Sequence, residues 1–153
     1  MPTLFPFQRF LVVDDNSIDT IIITRVLQKM ELVAQVDSVA NGQEAISYLL
    51  ACKQSGLYPE VILLDVDMPV MNGFAFLEQC FREKLLEDTS VKIIMLTSSI
   101  HPHDQQQAAT YPLLGFLNKP LKSEGLRTLL QPGKEIFVFI KPAKTVIEQK
   151  GVM

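Results

Sequence analysis

The sequence lacks any apolar run long enough to cross a membrane. Its start, MPTLFPFQRFLVV, has neither a basic leading segment nor a cleavage site. A cytoplasmic protein with no membrane role is the expectation. Basic residues are not concentrated anywhere: 14 Lys and Arg stand against 17 Asp and Glu, in no block, which argues against a nucleic-acid surface as the main function. Cysteine is nearly absent. Cys52 and Cys80 have no Cys-x-x-Cys spacing and fall in helix-like stretches, so reduced, buried thiols are predicted, with no disulfide or metal role. The two histidines, His101 and His103 in HPHDQQQ, have no third ligand in register and read as a solvated loop and helix start. There is no internal repeat and no low-complexity tract.

What is present is a globular composition, 48% hydrophobic and 20% charged over 153 residues, enough for one domain with a proper core. Short β-branched runs alternate with helical patterns. Phe10 to Val13 reads as a buried strand. A helix capped at Asn16 or Ser17 follows, with Ile18, Ile22, Val26, Leu27 and Met30 on one face. Ala34 to Val39 is a second strand. Asn41 and Glu44 open a second helix, with Ala45, Ile46, Leu49 and Leu50 inward and an end near Gly56. Val61 to Leu64 is apolar throughout, as a strand covered on both faces should be. Gly73 opens a third helix with Phe74, Leu77, Phe81 and Leu85 inward. Val91 to Leu96, the Gln-rich Pro102 to Ala109, Leu113 to Asn118 and Ser123 to Gln131 continue the alternation. Five such strands predict a parallel α/β sheet with helices on both faces. In the tail after Gln131, EIFVFI is strand-like, KTVIEQK could be helical, and neither fits the repeating unit.

Ligands of open parallel sheets bind beyond the carboxyl ends of the strands. Asp14 and Asp15 follow the first strand, Asp65 and Asp67 the third, Thr97, Ser98 and Ser99 the fourth, Asn118 and Lys119 the fifth. Two charges 4 Å apart repel by about 4 kcal/mol at an effective dielectric of 20. Carboxylates crowded at one rim therefore call for a cation. Oxygen ligands without His or Cys suit Mg²⁺. With the Lys119 ammonium and the Thr97 hydroxyl added, the set fits a phosphoryl group, with a carboxylate as its acceptor. Taken singly, each residue has a plainer reading: Asp14–Asp15 as a solvated turn or cap, Asp65 as a turn residue, Thr97 as a strand residue, Lys119 as a surface lysine. Their convergence favours the functional one.

LVVDDN, LLDVDMPVMNG, MLTSS and FLNKP, in this order and spacing, resemble a response-regulator receiver domain of two-component signalling, from about Arg9 to Gln131. The resemblance implies a flavodoxin-like five-stranded sheet in the order 2-1-3-4-5. It implies that Asp65 accepts a phosphoryl group from the phosphohistidine of a sensor kinase or a histidine phosphotransfer protein. Asp14 and Asp15 would be the acidic pair and Asp67 would reach the metal through its backbone carbonyl. Lys119 and Thr97 would contact phosphoryl oxygens, and Lys119–Pro120 would be cis. Phe116 stands at the switch-aromatic position, where it lacks the hydroxyl of a tyrosine. On this reading residues 1–131 form the receiver and 132–153 an extension too short to be a domain. The chain is then a stand-alone phosphoacceptor rather than an enzyme, limited to Mg-dependent gain and loss of its own phosphoryl group, with an unnamed downstream protein partner. Phosphorylation would draw Thr97 towards the phosphoryl group and turn Phe116 inward. Phe137 and Phe139 are expected to pack on the domain, with a sheet-edge or homodimer contact as the alternative. Two departures concern the output surface: the longer ACKQSGLYPE stretch, and TYPLLG with its stiffening Pro112.

LLDVDMPV also resembles the nucleophile motif of haloacid-dehalogenase-type phosphatases. There the acidic pair follows the lysine, whereas Asp14–Asp15 come first here. A binding module with a vestigial site is the third reading, against which the full set of Asp14, Asp15, Asp65, Thr97 and Lys119 argues.

Overall fold

The structure, a computed structural model, describes residues 5–99 and 101–131, together with the backbone of Val138 and Phe139. Strands and helices alternate as β1 (Phe7–Val13), α1 (Ser17–Lys29), β2 (Val33–Val39), α2 (Gly42–Ser55), β3 (Val61–Asp65), α3 (Gly73–Arg82), β4 (Lys92–Thr97), α4 (Pro102–Ala108), β5 (Gly115–Asn118), α5 (Ser123–Leu129) and β6 (Val138–Phe139). The sheet runs β2-β1-β3-β4-β5-β6, and every pairing is parallel. The expected order 2-1-3-4-5 is therefore present. One short strand is added at its edge, with Gly115 opposite Val138 and Phe116 opposite Phe139. The strand-like tail thus contributes a sheet edge, while Phe137 and KTVIEQK lie outside the described residues.

Alternation along the strands builds a core on each face of the sheet. Leu11, Val13, Ile62 and Leu64 point to one side, where they meet Leu49 of α2, Phe76, Leu77 and Cys80 of α3, and Ala108 of α4. Phe10, Val12, Leu63 and Leu96 point to the other, against Ile23 and Leu27 of α1 and Leu126 and Leu129 of α5. Central β3 is buried at every position, which explains its lack of polar alternation. Both cysteines are free and buried, as predicted. Burial pushes the Cys80 thiol up to about 12. No described helix is long and apolar enough to cross a membrane.

Three asparagines fix where helices begin. Asn16, Asn41 and Asn72 each accept from backbone N–H groups of the first turn of α1, α2 and α3. Gly56 ends α2 at φ +79, the left-handed conformation glycine adopts most easily.

Several facings differ from expectation. On α1 the fully inward residues are Ile23 and Leu27, with Val26 and Met30 packed beside them, while Ile18 and Ile22 are exposed. The run of isoleucines 21–23 offers more than one apolar stripe, and packing chose another than the pattern indicated. Leu50 of α2 is also exposed. Leu85 is buried but lies beyond the end of α3, and Phe81 is half-buried, stacked on Tyr111 with ring centroids 5.7 Å apart.

Candidate functional site

Four adjacent parallel strands, β1, β3, β4 and β5, deliver their carboxyl ends to one rim. Asp14 follows β1, Asp65 is the last residue of β3, Thr97 the last of β4, and Lys119 follows β5. Asp14, Asp65 and Thr97 are the buried polar residues of the described chain. Buried polar groups at strand ends, with apolar strand interiors behind them, mark a site rather than a packing need.

The backbone pins these positions. Asp14 N–H donates to the Val39 carbonyl at 3.1 Å, Val66 N–H to the Leu96 carbonyl at 3.1 Å, and Lys119 N–H to the Thr97 carbonyl at 2.7 Å. Asn16 N–H donates to Asp14 Oδ1 at 2.9 Å, closing the loop after β1. The Lys119–Pro120 bond is cis, as the resemblance implied.

Lys119 is the hub. Its Nζ lies 2.8 Å from Asp14 Oδ2, 3.2 Å from Asp65 Oδ1 and 2.9 Å from Asp19 Oδ2. The Asp19 contact is an aligned hydrogen bond. The Asp14 contact is a close ion pair whose angles fall outside hydrogen-bond geometry. Asp19 is the residue that sequence reading missed. An acid in the first turn of a helix is usually a dipole partner. The sequence carried no signal to separate that role from a contact with a distant lysine.

Ligand oxygens of Asp14, Asp15 and Asp65 all lie within 4.8 Å of one another. Three carboxylates, with no His or Cys among them, fit a hard divalent cation that prefers oxygen. The Asp67 side chain is exposed and its carboxylate is not among the three; the expectation concerned its carbonyl alone. Burial, then repulsion from Asp14, pushes the Asp65 carboxyl up to about 6 against the pull of Lys119. Burial alone would depress Lys119, but its carboxylate neighbours hold it charged, above the ordinary lysine value.

Thr97 Oγ1 donates to the Ser99 carbonyl at 2.8 Å, so its hydroxyl is engaged by its own loop. Phe116 is fully buried, in the cluster that holds Met95, Ala108 and Leu113. An inward turn of this ring was expected on phosphorylation; the ring already lies inside. His101 is exposed at the start of α4, with Nε2 3.2 Å from Ser99 Oγ, and joins no described metal cluster.

Residues 10–131 match the family model of the response regulator receiver domain. The chain belongs to that family.

The receiver is 26% identical over 129 residues to the probable methanogenesis regulatory protein FilR2 of Methanothrix harundinacea, covering 84% of this chain and 82% of that one. It is 32% identical over 124 residues to hybrid signal transduction histidine kinase L of Dictyostelium discoideum, covering 80% of this chain but 7% of that far longer protein. A two-component response regulator from Cytophaga hutchinsonii superposes with a TM-score of 0.72 at 25% identity, covering 80% of this chain and 93% of that one. The receiver is thus a phosphoacceptor domain of two-component signalling. None of these likenesses supports the dehalogenase-type alternative.

Proposed function

We propose that Asp65 is the phosphoacceptor, taking a phosphoryl group from the phosphohistidine of a histidine kinase or a histidine phosphotransfer protein. The observation that carries this is the Lys119 ammonium 3.2 Å from Asp65 Oδ1 and 2.8 Å from Asp14 Oδ2 in a buried pocket. In the transfer, an Asp65 oxygen forms the new O–P bond while the P–N bond to the donor imidazole breaks. Lys119 meets charge on the arriving oxygens. Thr97 gives up the Ser99 carbonyl and donates to a phosphoryl oxygen. Asp14, Asp15, Asp65 and the Asp67 carbonyl would hold Mg²⁺. When bound, that ion would neutralise the crowded carboxylates and the phosphoryl oxygens.

The donor side of this reading has a surface to use. Ile18, Ile21 and Ile22 are 66%, 50% and 39% exposed. At i, i+3 and i+4 they form one apolar stripe on α1, beginning three residues after Asp15. An exposed apolar stripe on the helix that follows the acidic loop suits the helical surface of a phosphohistidine protein. A cytoplasmic location accompanies such a partner. Residues 132–153 are read as an extension of the receiver rather than a domain, and Phe116 as part of the switch from its buried position.

The test is labelling by a phosphorylated histidine phosphotransfer domain in Mg²⁺. The wild-type chain should take about one phosphoryl group and release it slowly, and Asp65→Asn should take none. Label surviving in Asp65→Asn would move the acceptor elsewhere. Sustained turnover of a phosphomonoester would revive the phosphatase reading.

A further inference from the structure

We propose that Asp19 is a positioning residue of the phosphorylation site: it holds the Lys119 ammonium in place while Asp65 changes from carboxylate to acyl phosphate. The inference rests on the reading of Asp65 as acceptor and deepens it.

Three carboxylates surround Lys119 Nζ, and they are not equivalent. Asp65, at 3.2 Å, is consumed by the reaction, because the oxygen that bonds phosphorus no longer carries a full carboxylate charge. Asp14, at 2.8 Å, lacks hydrogen-bond alignment and belongs to the cluster that fits a divalent cation. Its attraction is shared as soon as a cation arrives. Asp19 Oδ2, at 2.9 Å, accepts an aligned hydrogen bond and belongs to no described metal cluster. Of the three, it alone keeps the same bond to Lys119 before, during and after transfer.

The anchor is itself anchored. Asp19 N–H donates to Asn16 Oδ1 at 3.0 Å, and Asn16 N–H donates to Asp14 Oδ1 at 2.9 Å. The first turn of α1 therefore joins the acidic loop to the lysine through side-chain bonds. Lysine needs such a constraint. Its ammonium is a point charge on a flexible four-carbon stem, without the built-in direction of a guanidinium. The Lys119 side chain is 10% exposed and that of Asp19 31% exposed, so the bond lies on the open side of the pocket. Lys119 is thus held between the buried acceptor and the mouth where the donor arrives.

The plainer role for Asp19 is a charge interaction with the α1 N-terminus. The two roles separate chemically. A dipole partner needs the negative charge; an anchor for Lys119 needs an acceptor oxygen, which asparagine retains. The experiment compares wild type, Asp19→Ala, Asp19→Asn, Lys119→Met, the Asp19→Ala/Lys119→Met double variant and Asp65→Asn. Each is labelled with acetyl phosphate in Mg²⁺, which needs no docking partner, and each is unfolded in urea to report folding. The ¹⁵N ammonium signal of Lys119 is recorded without metal.

Asp19→Ala should slow labelling about tenfold or more, as a displaced catalytic group does. Asp19→Asn should return to within about threefold of wild type, since it retains the acceptor for the aligned bond. Asp19→Ala should have no further effect once Lys119 is Met. The Lys119 ammonium signal should be protected from exchange in wild type and lost in Asp19→Ala. Wild-type labelling by Asp19→Ala, equal slowing in the Lys119→Met background, or failure of Asp19→Asn to recover overturns the anchor. If wild type takes no label, or Asp65→Asn takes as much, the acceptor reading itself has failed. Should Asp19→Ala not fold, the Lys119 ammonium signal decides in wild type and Asp19→Asn: it should be protected in both, and an unprotected signal in either overturns the anchor.

Discussion

A Cβ placed on Gly73 would overlap the backbone carbonyl oxygen of Asp65, and it would stand 3.0 Å from Met95 Cε and 3.2 Å from Val66 Cα. The first residue of α3 is thus seated directly against the end of β3, and Gly73 N–H donates to the Val66 carbonyl at 2.9 Å. The glycine is required by close approach, not by backbone dihedrals. Gly73→Ala should cost about 1–3 kcal/mol in urea unfolding, the usual range for overpacking against backbone. Labelling of Asp65 should slow with it. Unchanged stability would mean that α3 can move away from β3 freely.

Removing the lysine should expose the repulsion it masks. Lys119→Met keeps most of the side-chain volume but leaves Asp14 and Asp65, both buried, without a counter-ion. Breaking a buried pair by removing one partner typically costs about 3–5 kcal/mol. The loss should be larger at pH 8 than at pH 5, where a carboxyl can take up a proton instead. A loss with no pH dependence would argue that the carboxylates were not repelling one another.

Asp65 gives stability a definite slope with pH. Its carboxyl is raised in the fold from 3.8 to about 6. Between those values the folded chain binds more protons than the unfolded one, so this group makes wild-type stability fall as pH rises through the window. Above it, the ionised carboxylate costs about 1–3 kcal/mol. In metal-free buffer Asp65→Asn should therefore be more stable than wild type near pH 8, with the advantage fading below pH 4. Urea midpoints across pH with a chelator present measure it. A parallel offset at every pH contradicts the raised value.

Val70 lies in the loop between β3 and α3, at φ +68 with 83% of its surface exposed. A β-branched residue in the left-handed region is strained, and here no burial compensates. Val70→Asn should stabilise the fold by about 1 kcal/mol, because asparagine tolerates that conformation better. Loss of stability in the thermal melt would show that the valine has a packing role.

Much of the site was legible because it depends on a rule of chain geometry. Parallel strands send their carboxyl ends to one rim, so an acid or lysine just after an apolar run is placed by its position alone. Asp14, Asp65, Thr97 and Lys119 could be grouped that way. Asp19 could not, since a first-turn acid looks the same whether it faces solvent or a lysine one hundred positions on. Nor could the stripe on α1 that is buried: Ile18 and Ile22 are as apolar as Ile23. The starting position of Phe116 also depends on its neighbours, since a ring at that position can lie in or out.

By itself the sequence determined the alternation of strands and helices, the caps at Asn16 and Asn41 and the residues at each strand end. These follow from local periodicity, from hydrogen bonding within a turn and from the direction of parallel strands. Only the tertiary structure decided that three carboxylates share one ammonium, that Ile18, Ile21 and Ile22 of α1 are left exposed and that a sixth strand borders β5. Each is a choice among partners distant in the chain. Such choices are made by packing and charge in three dimensions, which no short stretch of residues encodes.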